Sequence, residues 1–373
     1  MDTARKNYDW IDTIRVFATL IVIIFHYALT LMTNENLQPT IQKFFLGIEN
    51  IGVAAFFGIS GYLVVNSLQN LKSLFEFYRR KIIRIILPFT FLYILVIVIN
   101  FIAKAINPKS LSMIDITFSN FSMMKFIGGL FPIDVNLLMY FDVQHYFIVG
   151  EWFIGTLIWM YLISPLLYKF LRLNVPITML IIIAVSLITA DLLVDMEIQG
   201  RILSRPAFFL IRLPEFATGM VLFIYRDKIF QKSSIFVAMI LAIGMIFHSV
   251  ISYPEESRFF GKYFFGGASL DLHYILALML TVYLSFIVAE LLNKNFPKLM
   301  KPFNNFKDIS YIAILLQHFL IIIITKSWFK NVGFFDMEKF VSIILLILIT
   351  VAIVLVSRLI KKYYAPFEKK LLG

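Results

Sequence analysis

An all-α protein that crosses a membrane many times is predicted by three observations: the composition, the length of the apolar runs, and the distribution of basic residues between them. Of 373 residues, 60% are hydrophobic and 15% charged, with a mean hydropathy of +0.85; soluble domains carry about 45–50% apolar residues. Apolar runs near the ~20 residues that span a bilayer lie at 10–32, 44–66, 85–106, 152–171, 176–195, 206–225, 234–252, 272–292, 308–326 and 339–360. Lys and Arg concentrate in alternate connections, at positions 5–6, 72–84, 169–172, 226–232, 294–307 and 358–370. Cytoplasmic loops show this bias. The expectation is therefore about ten transmembrane helices with both termini cytoplasmic. Residues 1–373 are expected to form a single transmembrane domain with no soluble extracytoplasmic domain.

The first run is long, and the residues after it lack the small-residue pattern of a cleavage site, so it is expected to be retained as a helix. It contains Arg15 and His26, eleven positions apart. At 3.6 residues per turn this is about three turns and a rise of ~16 Å, which puts both on one face. Asp12, Thr19 and Thr30 fall near the same stripe, which can serve as one wall of a route across the membrane. A plainer alternative is that Arg15 reaches the interface and pairs with Asp12, while His26 bonds a neighbouring helix. A central Arg costs about 2.5–3.5 kcal/mol on insertion scales, which makes function the default reading. Histidine exchanges protons near neutral pH or accepts an acyl group through a ring nitrogen.

The second run holds "FFGISG" (56–61), where Gly58 and Gly61 allow close helix approach and Ser60 can bond between helices. Glu49, in its outer part, has the depth to orient His26. The expected loop before the third run carries "RRKIIRIILP" (79–88). Arg79, Arg80, Lys81 and Arg84 there set topology or bind a phosphate-bearing ligand, since guanidinium forks match phosphate oxygens. The stretch 107–147 contains an amphipathic segment around "MMKFIGGLFPI". Glu151 and Trp152 open the fourth run, with His145 nearby, at the position of interfacial anchors. In the sixth, Arg212 and Glu215 are three apart, the spacing of an intrahelical ion pair, and can line a cavity. No role is assigned to His248 or His273, near the outer ends of the seventh and eighth. His318, beside Gln317 in the ninth, falls near mid-membrane, facing a cavity or a neighbouring helix. The tenth ends in a basic tail.

Zero cysteines exclude disulfides, thiolate metal sites and a cysteine nucleophile. Five scattered histidines without helix-spaced carboxylates do not form a metal site. The net charge of +11 is accounted for by cytoplasmic loops, so nucleic acid is not an expected partner. No repeat or matching pair of broken helices points to a transporter fold.

The fragments "IDTIRVFATLIVIIFH", "FFGISGYLV", "RRKIIRIILP", "WFIGTLIWMYLISPLL", "RLPEFATGM" and "SYIAILLQHFLII" occur in the order and at the spacing of the acyltransferase 3 family, which the chain resembles over nearly its whole length. The resemblance implies a membrane O-acyltransferase that takes an acyl group, commonly acetyl, from cytoplasmic acyl-CoA and esterifies an extracytoplasmic glycan. It places the family's Arg and His at Arg15 and His26, its "FFxxSG" at 56–61 and its basic cluster at Arg80 and Arg84. Arg15 would then stabilise the donor, and His26 would act as general base or transient acyl carrier. Nothing in the sequence selects between these. Acetyl-CoA or another acyl-CoA is a donor substrate, with no permanently bound cofactor and no metal. Expected partners are acyl-CoA, a cell-surface polysaccharide or other envelope acceptor, membrane lipid and an optional acceptor-side protein, in a bacterial plasma membrane. A transporter or flippase for a glycan or lipid-linked precursor also needs polar residues within a bundle and is the rival reading; a silent scaffold is a third. Dependence on an acyl donor separates the first two.

Overall fold

The structure, a computed structural model, describes residues 9–32, 39–71, 73–106, 120–132, 146, 148–198, 207–229, 236–237, 239–241, 243–244, 268–329 and 339–372. Within the second helix, side chains are described from Ile51 onward. Among the described residues the regular elements are helical, with no strand. In chain order they are α1 (Asp9–Met32), α2 (Pro39–Asn70), α3 (Leu74–Lys81), a π-helical turn (Ile82–Ile86), α4 (Leu87–Ile106), α5 (Met123–Leu130), α6 (Glu151–Leu173), α7 (Val175–Ile198), α8 (Phe209–Ile224), α9 (Arg226–Ile229), α10 (Ala268–Asn295), α11 (Pro297–Phe306), α12 (Ser310–Phe329) and α13 (Lys339–Leu372).

Five helical stretches, Asp9–Ala28, Ile51–Asn70, Leu74–Ile106, Glu151–Leu173 and Ile343–Leu372, are long and apolar enough to cross a membrane; Val175–Ala190 and Ser310–Thr325 are shorter apolar helices. Their outward faces carry rows of exposed large apolar side chains. Ile343, Ile347, Val351, Leu355 and Leu359 form one such row on α13, and Ile94, Val98 and Ile102 another on α4. Contiguous apolar surface of this extent marks contact with lipid, and helices satisfy their own backbone groups there. The molecule is a multi-pass membrane protein. Helices occupy the apolar runs expected from the sequence, apart from 234–252, most of which lies outside the described residues.

α1 is the central helix, packed against α2, α10, α11 and α12. It is apolar on nearly every face, as a helix enclosed by others must be; Ile11, Ile14, Ala18 and Ile23 are fully buried. The most extensive contact in the bundle is α2 against α8, and glycine makes it possible. A Cβ on Gly61 would strike the Phe216 carbonyl, and one on Gly219 would strike the Gly58 carbonyl, so the two backbones touch as small-residue helix pairs do.

The segment 79–84, expected as a loop, is helical. α3, the π turn and α4 form one continuous helix over Leu74–Ile106. Ser73 caps its start by accepting from the Glu76 N–H at 3.2 Å. Pro88 explains the π turn. It has no N–H to donate, so an ordinary helical ladder is interrupted one turn before it, and Leu87 reaches back five residues to the Ile82 carbonyl. Tyrosines from two other helices serve the widened turn. Tyr364 of α13 donates to the Ile83 carbonyl at 3.1 Å, and Tyr311 of α12 donates to the Ile85 carbonyl at 2.8 Å. Arg79 donates to the Leu371 carbonyl at 2.5 Å, which ties the C-terminal turn of α13 to α3.

Candidate functional site

Each end of the α1 stripe has its own set of partners. At the N-terminal end Arg15 donates to Asp12 at 3.1 Å, the pairing expected if Arg15 is simply neutralised within its helix. Lys307, after α11, stands 3.9 Å from the other Asp12 oxygen, and Asp9 accepts from Asn293 of α10 at 2.8 Å. The threonines contribute less to a polar wall than their spacing suggests. Thr19 donates to the Arg15 carbonyl and Thr30 to the His26 carbonyl, each at 2.8 Å, so their hydroxyls are spent on the helix that carries them.

Eleven residues along, His26 borders a cavity of about 70 Å³ lined by Val22, Val53, Phe56, Val149, Gly150, Trp152, Phe153, Ile314, Leu315, Gln317 and His318. A buried water needs about 10–15 Å³ on this measure, so the space admits a small polar group with water beside it. His26 Nδ1 lies 2.9 Å from the Val22 carbonyl. A carbonyl oxygen is only an acceptor, so the Val22 contact places the ring proton on Nδ1 and leaves the lone pair on Nε2, an arrangement that requires the neighbouring Gln317 amide to turn its oxygen rather than its nitrogen to Nδ1. Gln317 Nε2 is 3.3 Å from Nδ1, and its Oε1 is buried without a partner. The His318 ring centroid is 5.0 Å from that of His26. Phe25 closes on the imidazole edge-to-face.

The opposite wall is a turn held from within. Glu151, fully buried, accepts from the Ile148 N–H at 2.7 Å and the Val149 N–H at 3.1 Å. Gly150 has φ +79°, the left-handed conformation that favours glycine. A Cβ there would meet nothing within 4 Å. The carboxylate thus fixes a turn whose residues Val149 and Gly150 line the same cavity as His26. Trp152, expected as an anchor or a lining residue, borders the cavity itself.

The basic cluster is divided. On a helix, successive residues diverge by about 100°, and Arg79, Arg80 and Arg84 are exposed while Lys81 turns inward. Arg80 pairs with Glu76 at 2.5 Å. The Lys81 ammonium lies 4.3 Å from the centre of the Tyr161 ring, a cation–π distance. Tyr161, on α6, also lies near Ser60 of α2 and within electrostatic reach of Arg15. Tyr161 therefore links Arg15, Ser60 and Lys81; the sequence offered no spacing that marks it.

Other candidates stand apart. Arg212 and Glu215 form an ion pair of 2.8 Å, both almost fully buried in α8, and neither lines the cavity. The Glu49 side chain lies outside the described residues, and the contacts described for the His26 ring come from Val22, Gln317, His318 and Phe25. His145 and His248, and the His273 side chain, also lie outside them. Among the described residues no cluster of His, Asp and Glu could hold a metal ion. Arg15, some 16 Å from His26 along α1, does not border the cavity, so the stripe is not one continuous open wall.

Comparison with curated proteins and with solved structures yields no match. The sequence model of a family described as "Acyltransferase domain" matches residues 8–361, a range that includes α1 with Arg15 and His26, the "FFGISG" contact, the divided basic helix and α12. With nearly the whole chain matched, this protein belongs to the acyltransferase 3 family and is a membrane acyltransferase.

Proposed function

We propose that the protein moves an acyl group, acetyl in the first instance, from cytoplasmic acyl-CoA to a hydroxyl of an extracytoplasmic acceptor, a cell-surface polysaccharide or other envelope glycan. Acyl-CoA is a substrate in this reading, and no cofactor is held permanently. The chain acts as one transmembrane domain of about ten spans in a bacterial plasma membrane, with both termini in the cytoplasm. It hands the acyl group to its acceptor directly or through a separate protein. The observation that carries the reading is His26: an imidazole whose proton is tied to the Val22 carbonyl, so that Nε2 presents its lone pair beside a cavity within an otherwise apolar bundle. Such a nitrogen serves as base or nucleophile.

Several features support the sidedness. The basic helix α3 with its π turn, the start of α12 and the last turns of α13 are joined by the Tyr311, Tyr364 and Arg79 bonds at one end of the bundle, and Lys307, just before α12, stands 3.9 Å from Asp12 in the N-terminal part of α1. Arg79, Arg80 and Arg84 present guanidinium groups there for CoA phosphates, with Arg15, Ser60, Lys81 and Tyr161 inside them. CoA is too large and charged to cross, so its flexible arm alone would enter the bundle and carry the thioester toward His26.

Protein purified in detergent is given radiolabelled acetyl-CoA. Thioester cleavage by the wild type is expected to fall by about 10²–10⁴-fold in His26→Ala, the usual contribution of a positioned acid–base group, and to weaken in Arg15→Ala. Cleavage unaffected by His26→Ala would sink the assignment. Movement of an unmodified glycan without donor consumption would establish the transporter instead.

A further inference from the structure

The cavity holds a second titratable group, and the hydrogen bonding of His26 gives it work. Among the described residues that line the cavity, His26 and His318 are the ones that titrate. If Nε2 of His26 carries the acyl group, neither ring nitrogen of His26 can take the proton of the acceptor hydroxyl. Nε2 is acylated, and Nδ1 already bears a proton held by the Val22 carbonyl at 2.9 Å. The transfer step then needs a base from another residue. The His318 ring, half-buried on α12, has its centre 5.0 Å from that of His26 and is inclined at 48° to it. Gln317, its neighbour on α12, brings its amide to 3.3 Å from Nδ1.

We propose that His26 is the acyl carrier and His318 the base that discharges it, an assignment that rests on the acyl-CoA-dependent function above. In the first step the Nε2 lone pair attacks the thioester carbonyl. The C–N bond forms, the C–S bond breaks, and CoA leaves as a thiolate that takes a proton from water. The ring becomes an N-acylimidazolium with its Nδ1–H intact. In the second step an acceptor hydroxyl oxygen attacks the acyl carbon. The C–O bond forms, the C–Nε2 bond breaks with its electrons returning to Nε2, and the hydroxyl proton passes to the unprotonated nitrogen of His318, which later releases it to water. Carrier and base are thus separate residues.

The test uses full-length protein in detergent with [14C]acetyl-CoA, glycerol as a probe hydroxyl acceptor, and hydroxylamine as a nucleophile that needs no help from a base. His318→Ala and the shape-conserving His318→Gln are expected to label at the wild-type rate. Both should then hold the label at least ten times longer in glycerol and lose it to hydroxylamine as fast as wild type does. A purely structural role would not separate labelling from discharge in this way. Discharge in both variants at the wild-type rate would overturn the assignment, as would failure of both to label while wild type labels. Absence of cleavage by the wild type would remove the underlying function as well.

Discussion

A charge buried in a bundle reports its importance through the partner it cannot lose. Arg212 is about 1% exposed and its carboxylate partner Glu215 about 2%, so removing either takes the opposite charge away from an ion buried beside Ile211 and Phe216. Arg212→Met is expected to cost about 3–5 kcal/mol, the usual penalty for breaking a buried pair. The double variant Arg212→Met/Glu215→Leu should recover most of it, because an apolar pair of similar volume is often neutral. Thermal unfolding in detergent checks both, and equal loss in single and double variants would show that the pair is needed for more than charge balance. That interaction was legible in the sequence, because three residues on a helix is itself a distance, as was Arg15 with Asp12. Contacts made across helices were not legible. Gln317 and His318 reach His26 from nearly 300 positions away, and Tyr161 meets Lys81 from 80 positions along the chain. Lys81 also shows how a run of like charges misleads, since a helix sends adjacent members of the run in different directions.

Between elements, the α2–α8 contact is set by which atoms oppose each glycine. Gly61 and Gly219 each face backbone, the Phe216 and Gly58 carbonyls respectively, which cannot move without displacing a helix. Gly58 instead faces the end of the Leu278 side chain, with a prospective Cβ 2.5 Å from its nearest methyl, and a leucine can change rotamer. Gly61→Ala and Gly219→Ala are therefore expected to cost at least the 1–3 kcal/mol typical of overpacking and to lower the yield of folded protein sharply. Gly58→Ala should lie at or below the bottom of that range. Size-exclusion profiles and thermal unfolding of the three variants would show it, and an equal penalty at all three would mean that the helices already separate. The sequence indicated that Gly58 and Gly61 pack, but it could not tell which one meets backbone, and it did not mark Gly219. It likewise placed the third apolar run but missed that its helix begins at Leu74. The run "RRKIIR" looks like a loop only when charge is weighed above continuity, and Ser73, capping the start, and Pro88, widening the turn, are the residues that reconcile the two.

For the whole molecule, the apolar runs could be read because a bilayer imposes length and hydropathy on any segment that crosses it, whereas the depth and angle of each helix follow from packing and could not. Sidedness is the property on which the acyl-transfer reading depends, and the sequence makes it directly measurable. With no native cysteine, each introduced thiol reports alone. Arg79 on α3, Lys298 on α11 and Lys370 near the end of α13 are exposed, as is Asn120 between α4 and α5. If the basic connections face the cytoplasm, Arg79→Cys, Lys298→Cys and Lys370→Cys should react with an impermeant maleimide only after the membrane is opened, while Asn120→Cys reacts in intact cells. Arg79 and Asn120 are separated by a single apolar stretch, Ile82–Ile106, so opposite labelling of this pair fixes one crossing without reference to the rest. Labelling of both from the same side would mean that the stretch does not cross. Labelling of Arg79→Cys in intact cells and of Asn120→Cys only in opened ones would invert the protein. The basic helix would then face away from cytoplasmic acyl-CoA, and no arrangement of His26 and His318 could restore the proposed donor.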